Sequence, residues 1–171
     1  MGRSLLWGRL SGFGLAVAIV ACLFDQISKL WLLAVYGLAG KGMVRLAPFV
    51  DLVLTWNTGI SYGWFAQEGS LGQSALLALK AVAVVLLWIW LARASSRLSG
   101  LALGLIIGGA IGNAIDRLSY GAVADFVLLH LETATGRFNW YVFNLADVAI
   151  VAGVAILLYE SLRGDSAPNR P

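Results

Sequence analysis

Four long apolar runs dominate the hydrophobic pattern of this chain. They cover residues 12–36, 71–92, 99–115 and 142–162. Each approaches the ~20 residues that an α-helix needs to cross the hydrocarbon core of a bilayer. Charged residues interrupt the first run at Asp25 and Lys29 and the second run at Lys80. The pattern therefore predicts an α-helical integral membrane protein with four transmembrane helices.

Two longer and more polar stretches connect these runs. Residues 41–66 mix β-branched and aromatic residues with a proline and charges, and they contain the turn signal "NTG" at 57–59. This composition predicts a small β platform lying on the outer membrane surface. The second stretch, residues 116–141, is predicted to be an outer connector with a short apolar piece at 126–131. No repeat or polar low-complexity tract divides the chain, so we expect a single membrane domain over residues 1–171.

The arginines indicate how the predicted spans are oriented. The short ends and connectors, residues 1–11, 93–98 and 164–171, carry five arginines although they are brief: Arg3, Arg9, Arg93, Arg97 and Arg170. The two long connectors carry fewer cations despite their length: Lys41, Arg45, Arg117 and Arg137. By the positive-inside rule, both termini are predicted to be cytoplasmic and both long connectors to face outward.

The first apolar run also resembles a secretion signal, because "IVAC" at 19–22 looks like a lipoprotein cleavage box. The apolar character continues to Tyr36, which is too long for the apolar core of an ordinary signal peptide. We therefore expect the first helix to be retained.

Composition excludes several other classes of protein. Of the 171 residues, 60% are hydrophobic and only 12% are charged, about half the charge of a soluble domain. The net charge of +3 is scattered and forms no nucleic-acid-binding stripe. The single cysteine, Cys22, permits no internal disulfide and no CxxC metal site.

A glycine stripe marks the third predicted helix. Its members recur at every fourth position: Gly100, Gly104, Gly108 and Gly112. This spacing places all four on nearly one face, where another helix can approach closely. Helix packing is the favoured interpretation, and a glycine-lined substrate slot is the alternative.

Four aspartates gather near the predicted outer face, and two of them have a cation close by in the sequence. Asp25 and Lys29 have the i,i+4 spacing of a helical ion pair. Asp116 adjoins Arg117, and we expect these two to pair. Asn113, four residues before Arg117, shares its helix face.

The other two aspartates, Asp125 and Asp147, have no cation within four residues on either side. Two such carboxylates at similar depth suggest a shared site in which one proton is held between them. One acid then serves as general base and the other as general acid, which is the chemistry of amide hydrolysis without a metal. The alternative is that both aspartates merely cap helix or turn ends, a common use of this residue.

Other catalytic schemes fit the sequence less well. Cys22 lies deep in the first run and His130 lies in the outer connector, so a Cys–His pair would need both in one place. His130 is expected to be a packed or interfacial histidine. Ser28 and Lys29 are neighbours that do not face each other on a helix, and no HExxH motif offers a zinc site.

Four blocks in order resemble the signature of a known enzyme family. They are "DQISK" (25–29), "NTG" (57–59), "GNAIDRLSYGAVADF" (112–126) and "FNLAD" (143–147). These blocks look like those of lipoprotein signal peptidase, also called signal peptidase II. The resemblance extends from about residue 12 to residue 162.

The resemblance implies a function and a set of site residues. Asp125 and Asp147 match the catalytic pair of this membrane aspartic endopeptidase family. Eight further residues match its supporting and substrate-binding positions: Asp25, Lys29, Asn57, Gly59, Asn113, Asp116, Arg117 and Asn144. The family removes the signal peptide of prolipoproteins just before a cysteine that carries diacylglycerol, and it needs no metal or cofactor.

The resemblance also implies a setting and partners. We expect a multi-pass protein of the bacterial cytoplasmic (inner) membrane, with its active site toward the outer face. Its expected partners are membrane lipids and a prolipoprotein signal peptide bearing diacylglyceryl-cysteine, and we expect a monomer that binds no nucleic acid.

Two functions of other classes remain as alternatives. A small carrier or channel could use the outer-leaflet carboxylates as ion ligands. A membrane scaffold without enzymatic activity would explain the glycine stripe but not Asp125 and Asp147.

Overall fold

The computed structural model describes residues 5–59, 70–134 and 136–164, with residues 70–76 and 164 described by backbone alone. Its elements follow in the order α1 (Ser11–Leu30), β1 (Val44–Ala47), β2 (Val50–Asn57), α2 (Ser70–Arg93), α3 (Arg97–Tyr120), β3 (Val123–Thr133), β4 (Gly136–Phe143) and α4 (Leu145–Gly164). A π-helical turn, Trp31–Val35, continues α1. Residues 60–66 of the predicted platform, and the terminal Arg3 and Arg170, lie outside the described residues.

Among the described residues, three helices are long and apolar enough to cross a membrane. They are Ser11–Val35, Arg97–Tyr120 and Leu145–Arg163. The 24-residue α2 lies where the second span was predicted. The mostly helical, membrane-type architecture is thus confirmed. Two predicted boundaries were wrong, because α3 continues to Tyr120 and residues 142 and 143 belong to β4.

The two long connecting stretches form one antiparallel sheet with strand order β1-β2-β3-β4. The predicted β platform is therefore present, but it is larger than expected because the second connector supplies β3 and β4. The apolar piece at 126–131 lies within β3. Phe126 packs with Leu32 and Leu38 in a buried cluster beside the end of α1. This strand is buried along most of its first half, so the polar–apolar alternation that identifies a half-exposed strand is absent.

Helix α3 is the centre of the bundle, and α1, α2 and α4 each pack against it. A Cβ added at Gly104 would lie 2.6 Å from the carbonyl oxygen of Gly14, and one at Gly108 would lie 2.4 Å from that of Ala18. Main-chain atoms of α1 cannot move aside as a flexible side chain would. The packing interpretation of the glycine stripe is confirmed, and the alternative of a substrate slot was wrong because α1 fills this face.

His130 is a buried histidine of the sheet, as expected. Its Nε2 lies 3.3 Å from Oδ2 of Asp51 on β2, and Arg137 of β4 also donates to this carboxylate. Cys22 lies in α1 and takes no part in this cluster. The Cys–His alternative is therefore wrong.

Candidate active site

One end of the helix bundle, beneath the sheet, holds all ten residues selected from the sequence. The last turns of α1 and α3 meet the first turn of α4 there, and β2 and β3 pass over them. Helices α1, α3 and α4 each bring polar side chains to this end, where these groups form hydrogen bonds with one another beside an apolar bundle.

Asp125 of β3 is held by two asparagine amides. Asn57 donates to its Oδ2 at 3.1 Å, and Asn144 donates to its Oδ1 at 2.6 Å. Antiparallel pairing of β2 with β3 places Asn57 near this carboxylate, because Asn57 pairs with Val123 and Thr55 with Asp125. The side chain is almost fully buried, with 3% of its surface exposed.

Asp147 lies in the first turn of α4, and Asn144 directly precedes that helix. The two residues form a reciprocal cap: the Asp147 N–H donates to Oδ1 of Asn144 at 3.0 Å, and the Asn144 N–H donates to Oδ2 of Asp147 at 3.2 Å. This satisfies two main-chain donors that a helix start leaves without partners. The capping interpretation is therefore correct for one oxygen of Asp147. The other oxygen, Oδ1, accepts a hydrogen bond from Asn113 of α3 at 2.9 Å.

Two asparagines connect the two carboxylates. The side-chain nitrogen of Asn144 donates both to Asp125 and, at 3.1 Å, to Oδ1 of Asn113. The side-chain nitrogen of Asn113 in turn donates to Asp147. Within the described part of the chain, no Lys, Arg or His nitrogen lies within 4.0 Å of either carboxylate. The pair is thus fixed by neutral donors and carries its charge without a direct counter-ion.

Asp25 and Asp116 are the opposite case, because both bind Lys29. The Lys29 Nζ lies 2.8 Å from Oδ2 of each, and all three side chains are buried. The predicted Asp25–Lys29 pair is confirmed. The predicted Asp116–Arg117 pair was wrong, because adjacent helix residues point in different directions. The cation of Asp116 comes from α1 instead.

Each of these two supporting acids also holds the main chain beside a member of the other pair. Asp116 accepts the N–H of Ala124 at 3.0 Å, directly before Asp125. Asp25 accepts the N–H of Ala146 at 2.9 Å, directly before Asp147. Asp116 and Asp25 therefore position Asp125 and Asp147, respectively, by binding the main-chain N–H of the residue that precedes each.

Arg117 stabilises the turn at residues 57–59, which borders the site. Its Nη2 donates to the Gly59 carbonyl at 2.5 Å and its Nη1 to the Asn113 carbonyl at 3.4 Å, while the Gly59 N–H donates to Oδ1 of Asn57 at 3.0 Å. Arg117 and Asn57 thereby hold the turn at residues 57–59 against α3.

Sequence reasoning missed Gln26. Its side-chain amide donates to Oδ1 of Asp116 at 2.9 Å, to the Gly112 carbonyl at 3.1 Å and to Oδ2 of Asp25 at 3.2 Å. A polar residue between Asp25 and Lys29 in an apolar run was the available signal. The Ser28–Lys29 alternative was wrong: the Ser28 hydroxyl donates to the Asp25 carbonyl at 2.7 Å, and Lys29 is engaged with two carboxylates.

A cavity of about 460 Å³ opens at Asp125 and Asp147. Asn57, Asn113 and Arg117 line its polar end. It continues along α4 as far as Ala155, and Lys80 of α2 lines it on another side. The remainder of the wall is apolar, so the cavity joins a carboxylate pair to a hydrophobic channel of the bundle.

Burial and, to a lesser extent, the nearby charge of Asp147 together raise the pKa of Asp125 to about 6. The hydrogen bonds from Asn57 and Asn144 and the charge of Lys29 act against this rise without cancelling it. A raised pKa is expected where two carboxylates share a poorly solvated site. The pair can therefore hold a proton close to neutral pH.

Comparisons with known proteins identify the family of this chain. The family model described as "Signal peptidase (SPase) II" matches residues 17–163. The chain belongs to the signal peptidase II family. Motif resemblance had predicted this family, and the prediction is confirmed.

Two lipoprotein signal peptidases align with almost the entire chain. The lipoprotein signal peptidase of Rhodopseudomonas palustris (strain ATCC BAA-98 / CGA009) is 61% identical over 158 residues, covering 92% of this chain and 96% of the relative. That of Nitrobacter hamburgensis (strain DSM 10229 / NCIMB 13809 / X14) is 60% identical with the same coverage. A bacterial membrane enzyme structure obtained by the in meso method at 2.3 Å resolution has a TM-score of 0.76 at 22% identity, covering 94% of this chain and 93% of that one. The likeness to that structure supports the fold.

Proposed function

We propose that Asp125 and Asp147 are the catalytic pair with which this signal peptidase II removes the signal peptide from diacylglyceryl-modified prolipoproteins. The observation that carries the proposal is their placement. They are two carboxylates without a direct counter-ion, fixed by asparagines, at one end of an apolar cavity. Membership of a peptidase family favours this role over that of a carrier or a scaffold.

Asp125 is the general acid of the pair and Asp147 is the general base. Asp125 is the more deeply buried of the two, and its pKa is raised to about 6. Asp147 lies at a helix N-terminus, where the macrodipole favours negative charge. Because the pair is coupled, its proton belongs to both acids in any titration.

The reaction follows from this assignment. Asp147 takes a proton from a water molecule, whose oxygen bonds to the scissile carbonyl carbon while the carbonyl oxygen receives the Asp125 proton. The resulting diol collapses as Asp147 gives its proton to the departing amide nitrogen of the cysteine and a diol hydroxyl returns a proton to Asp125. The products are a signal peptide with a new carboxyl group and a lipoprotein with a free α-amino group.

The site faces the outer side of the bacterial inner membrane, and both termini are cytoplasmic. Arginine placement supports this orientation, together with a fourth span formed by α2. The sheet then lies at the outer surface above the carboxylates. We propose that residues 1–171 act as one membrane domain and as a monomer, since α3 holds the other helices in one bundle.

The lipid on the substrate contributes to its recognition. An apolar cavity wall that opens between membrane helices can bury acyl chains, at ~0.8 kcal/mol for each methylene removed from water. Ten residues support the chemistry: besides the catalytic pair, we assign binding or positioning roles to Asp25, Lys29, Asn57, Gly59, Asn113, Asp116, Arg117 and Asn144.

The proposal is tested by incubating the purified protein in detergent with a lipidated precursor and with the same precursor lacking its lipid. Mass spectrometry identifies the released peptide. Cleavage just before the lipidated cysteine is expected, with slow or absent cleavage of the bare precursor. Equal cleavage of both would contradict recognition of the lipid, and cleavage of neither would contradict the proposed function.

A further inference from the structure

Lys80 is a cation of the cavity that the proposed chemistry leaves unused. It lies ten residues into α2, or ~15 Å along the helix axis, and is half-buried. It lines the same cavity as Asp125 and Asp147. Among the residues that the structure describes, none forms a hydrogen bond or an ion pair with its ammonium group.

A lysine at this position in a bundle of apolar helices needs an explanation. An intramembrane ammonium without a partner is energetically unfavourable, and such residues usually face a cavity that serves function. Lys29, the other lysine of the bundle, meets this cost with two carboxylates at 2.8 Å. Arg117, the neighbouring cation of the cavity, is occupied by the Gly59 and Asn113 carbonyls. Lys80 therefore has donors directed toward a cavity that the substrate enters.

The depth of Lys80 indicates which part of a substrate it meets. The cavity runs along α4 from Asp147 to Ala155, which is ~12 Å of helix. If the scissile bond lies at Asp125 and Asp147, the last residues of the signal peptide occupy the length below it. A signal-peptide helix that rises from the cytoplasmic side must end there, because the scissile bond has to be extended to be attacked.

Such a helix end carries unsatisfied acceptors. The last four carbonyl groups of an α-helix have no partner within the helix, and hydrocarbon offers none. They also form the negative end of the helix dipole, where a cation is favourable. A lysine ammonium supplies three donors and no acceptor, which matches a cluster of carbonyl oxygens.

We propose that the Lys80 ammonium binds the main-chain carbonyls at the C-terminal end of the signal-peptide helix, just before the scissile bond. This inference rests on the proposed function. It assigns Lys80 a role in substrate binding that does not depend on the side chains of the signal peptide. Recognition through the main chain suits an enzyme that accepts precursors of different sequence.

The test compares the kinetics of wild type with those of Lys80→Met, Lys80→Gln and Lys80→Arg on one lipidated precursor. Methionine keeps the length and removes every donor. We expect Lys80→Met to raise KM about tenfold or more, the loss typical of a hydrogen bond from a charged donor. Turnover at saturation and the pH dependence of kcat stay unchanged. Lys80→Arg restores KM to near the wild-type value, and Lys80→Gln gives an intermediate KM.

A direct binding measurement separates affinity from turnover. In an Asp147→Asn background, adding Lys80→Met should raise the dissociation constant for the intact precursor by the same factor as it raises KM. An unchanged KM and dissociation constant in Lys80→Met would overturn the inference. So would a fall in kcat with a displaced pH profile at constant KM, since Lys80 would then act on the carboxylate pair. Should Lys80→Met fail to fold by its melting curve, a wild-type KM in Lys80→Gln contradicts the inference equally. Wild type that cleaves no lipidated precursor would instead refute the proposed function.

Discussion

Two carboxylate pairs lie side by side in this protein, and they differ in one respect. Asp25 and Asp116 share the ammonium of Lys29, whereas Asp125 and Asp147 receive only neutral donors at hydrogen-bond distance. A carboxylate that is paired with an ammonium can serve as a fixed acceptor for main-chain N–H groups. A carboxylate without a counter-ion can exchange a proton. The first pair is suited to architecture and the second to chemistry.

The comparison explains why a small membrane bundle contains so many acids at one end. The supporting pair binds the N–H groups of Ala124 and Ala146, which directly precede the two acids of the other pair. Positioning groups must themselves be held if a reacting pair is to keep its geometry. Lys29 pairs with Asp25 and Asp116 without contacting Asp125 or Asp147.

The largest loss of cleavage is expected from replacing Asp125 or Asp147, the two carboxylates without a direct counter-ion. Asp125→Asn and Asp147→Asn should each lower cleavage of a lipidated precursor by ~10³-fold or more, because an amide can neither hold the shared proton nor act as base. The double variant should be little worse than either single one, since groups that act as a unit lose their effect together. Steady-state cleavage in detergent measures all three. A double variant with roughly the product of the two single losses would contradict the shared proton.

Removing Lys29, the cation shared by Asp25 and Asp116, should cause the largest loss of stability. Lys29→Met leaves two buried carboxylates without their counter-ion and should lower the free energy of unfolding by ~3–5 kcal/mol. Lys80→Met is the matched control, because it removes the bundle's other described lysine without breaking an ion pair. Thermal melting in detergent measures both. Similar melting temperatures for the two variants would show that Lys29 is not the structural cation.

The close approach of α3 to Asp25 provides a third test. A Cβ at Gly112 would lie 2.6 Å from Oδ2 of Asp25, an atom already fixed by Lys29. Gly112→Ala should therefore lower the free energy of unfolding by ~1–3 kcal/mol. In the control Gly100→Ala, the nearest atom is a ring carbon of Phe13 at 3.2 Å, and helix propensity offsets the crowding. Equal melting temperatures for the two variants would contradict a tight Asp25 site.

The dependence of kcat/KM on pH should be a smaller effect than those of the substitutions at the aspartates, Lys29 and Gly112. Because the pKa of Asp125 is raised to about 6, the free enzyme loses its shared proton as pH rises through that value. The value of kcat/KM should then fall, approaching a factor of ~10 for each pH unit. Melting curves at each pH control for unfolding. A constant kcat/KM between pH 6 and 8 would mean that Asp125 is not the general acid.

Local patterns predicted much of this architecture. Long apolar runs identified the helices, and the arginine bias suggested their orientation. The i,i+4 spacing of Asp25 and Lys29 predicted their ion pair because both residues lie on one helix. The strands β3 and β4 were missed, because β3 is buried along most of its first half and β4 is exposed along most of its length, so neither shows a polar–apolar alternation.

Contacts between distant segments were beyond the reach of those patterns. Asp116 adjoins Arg117 in the sequence, yet its counter-ion is Lys29 of another helix. The chain between Asn113 and Asn144 likewise gives no sign that one amide binds the other. Such pairs depend on how three helix ends and two strands meet, which local spacing does not encode. The motif resemblance selected residues that the structure brings together at one end of the bundle, and the structure shows that Asp25 and Asp116 share the ammonium of Lys29.

One comparison tests the division of roles most directly: cleavage and thermal melting of Asp125→Asn and Asp116→Asn in the same detergent. Each variant loses one carboxylate within the same end of the bundle. Asp125→Asn should lose nearly all cleavage and keep its melting temperature, since relief of burial and of repulsion by Asp147 offsets the lost hydrogen bond. Asp116→Asn should melt at a lower temperature and retain measurable cleavage, because one acceptor oxygen cannot serve Ala124, Gln26 and Lys29 as two did. Cleavage retained in Asp125→Asn, or abolished in Asp116→Asn without a change in melting, would contradict the account.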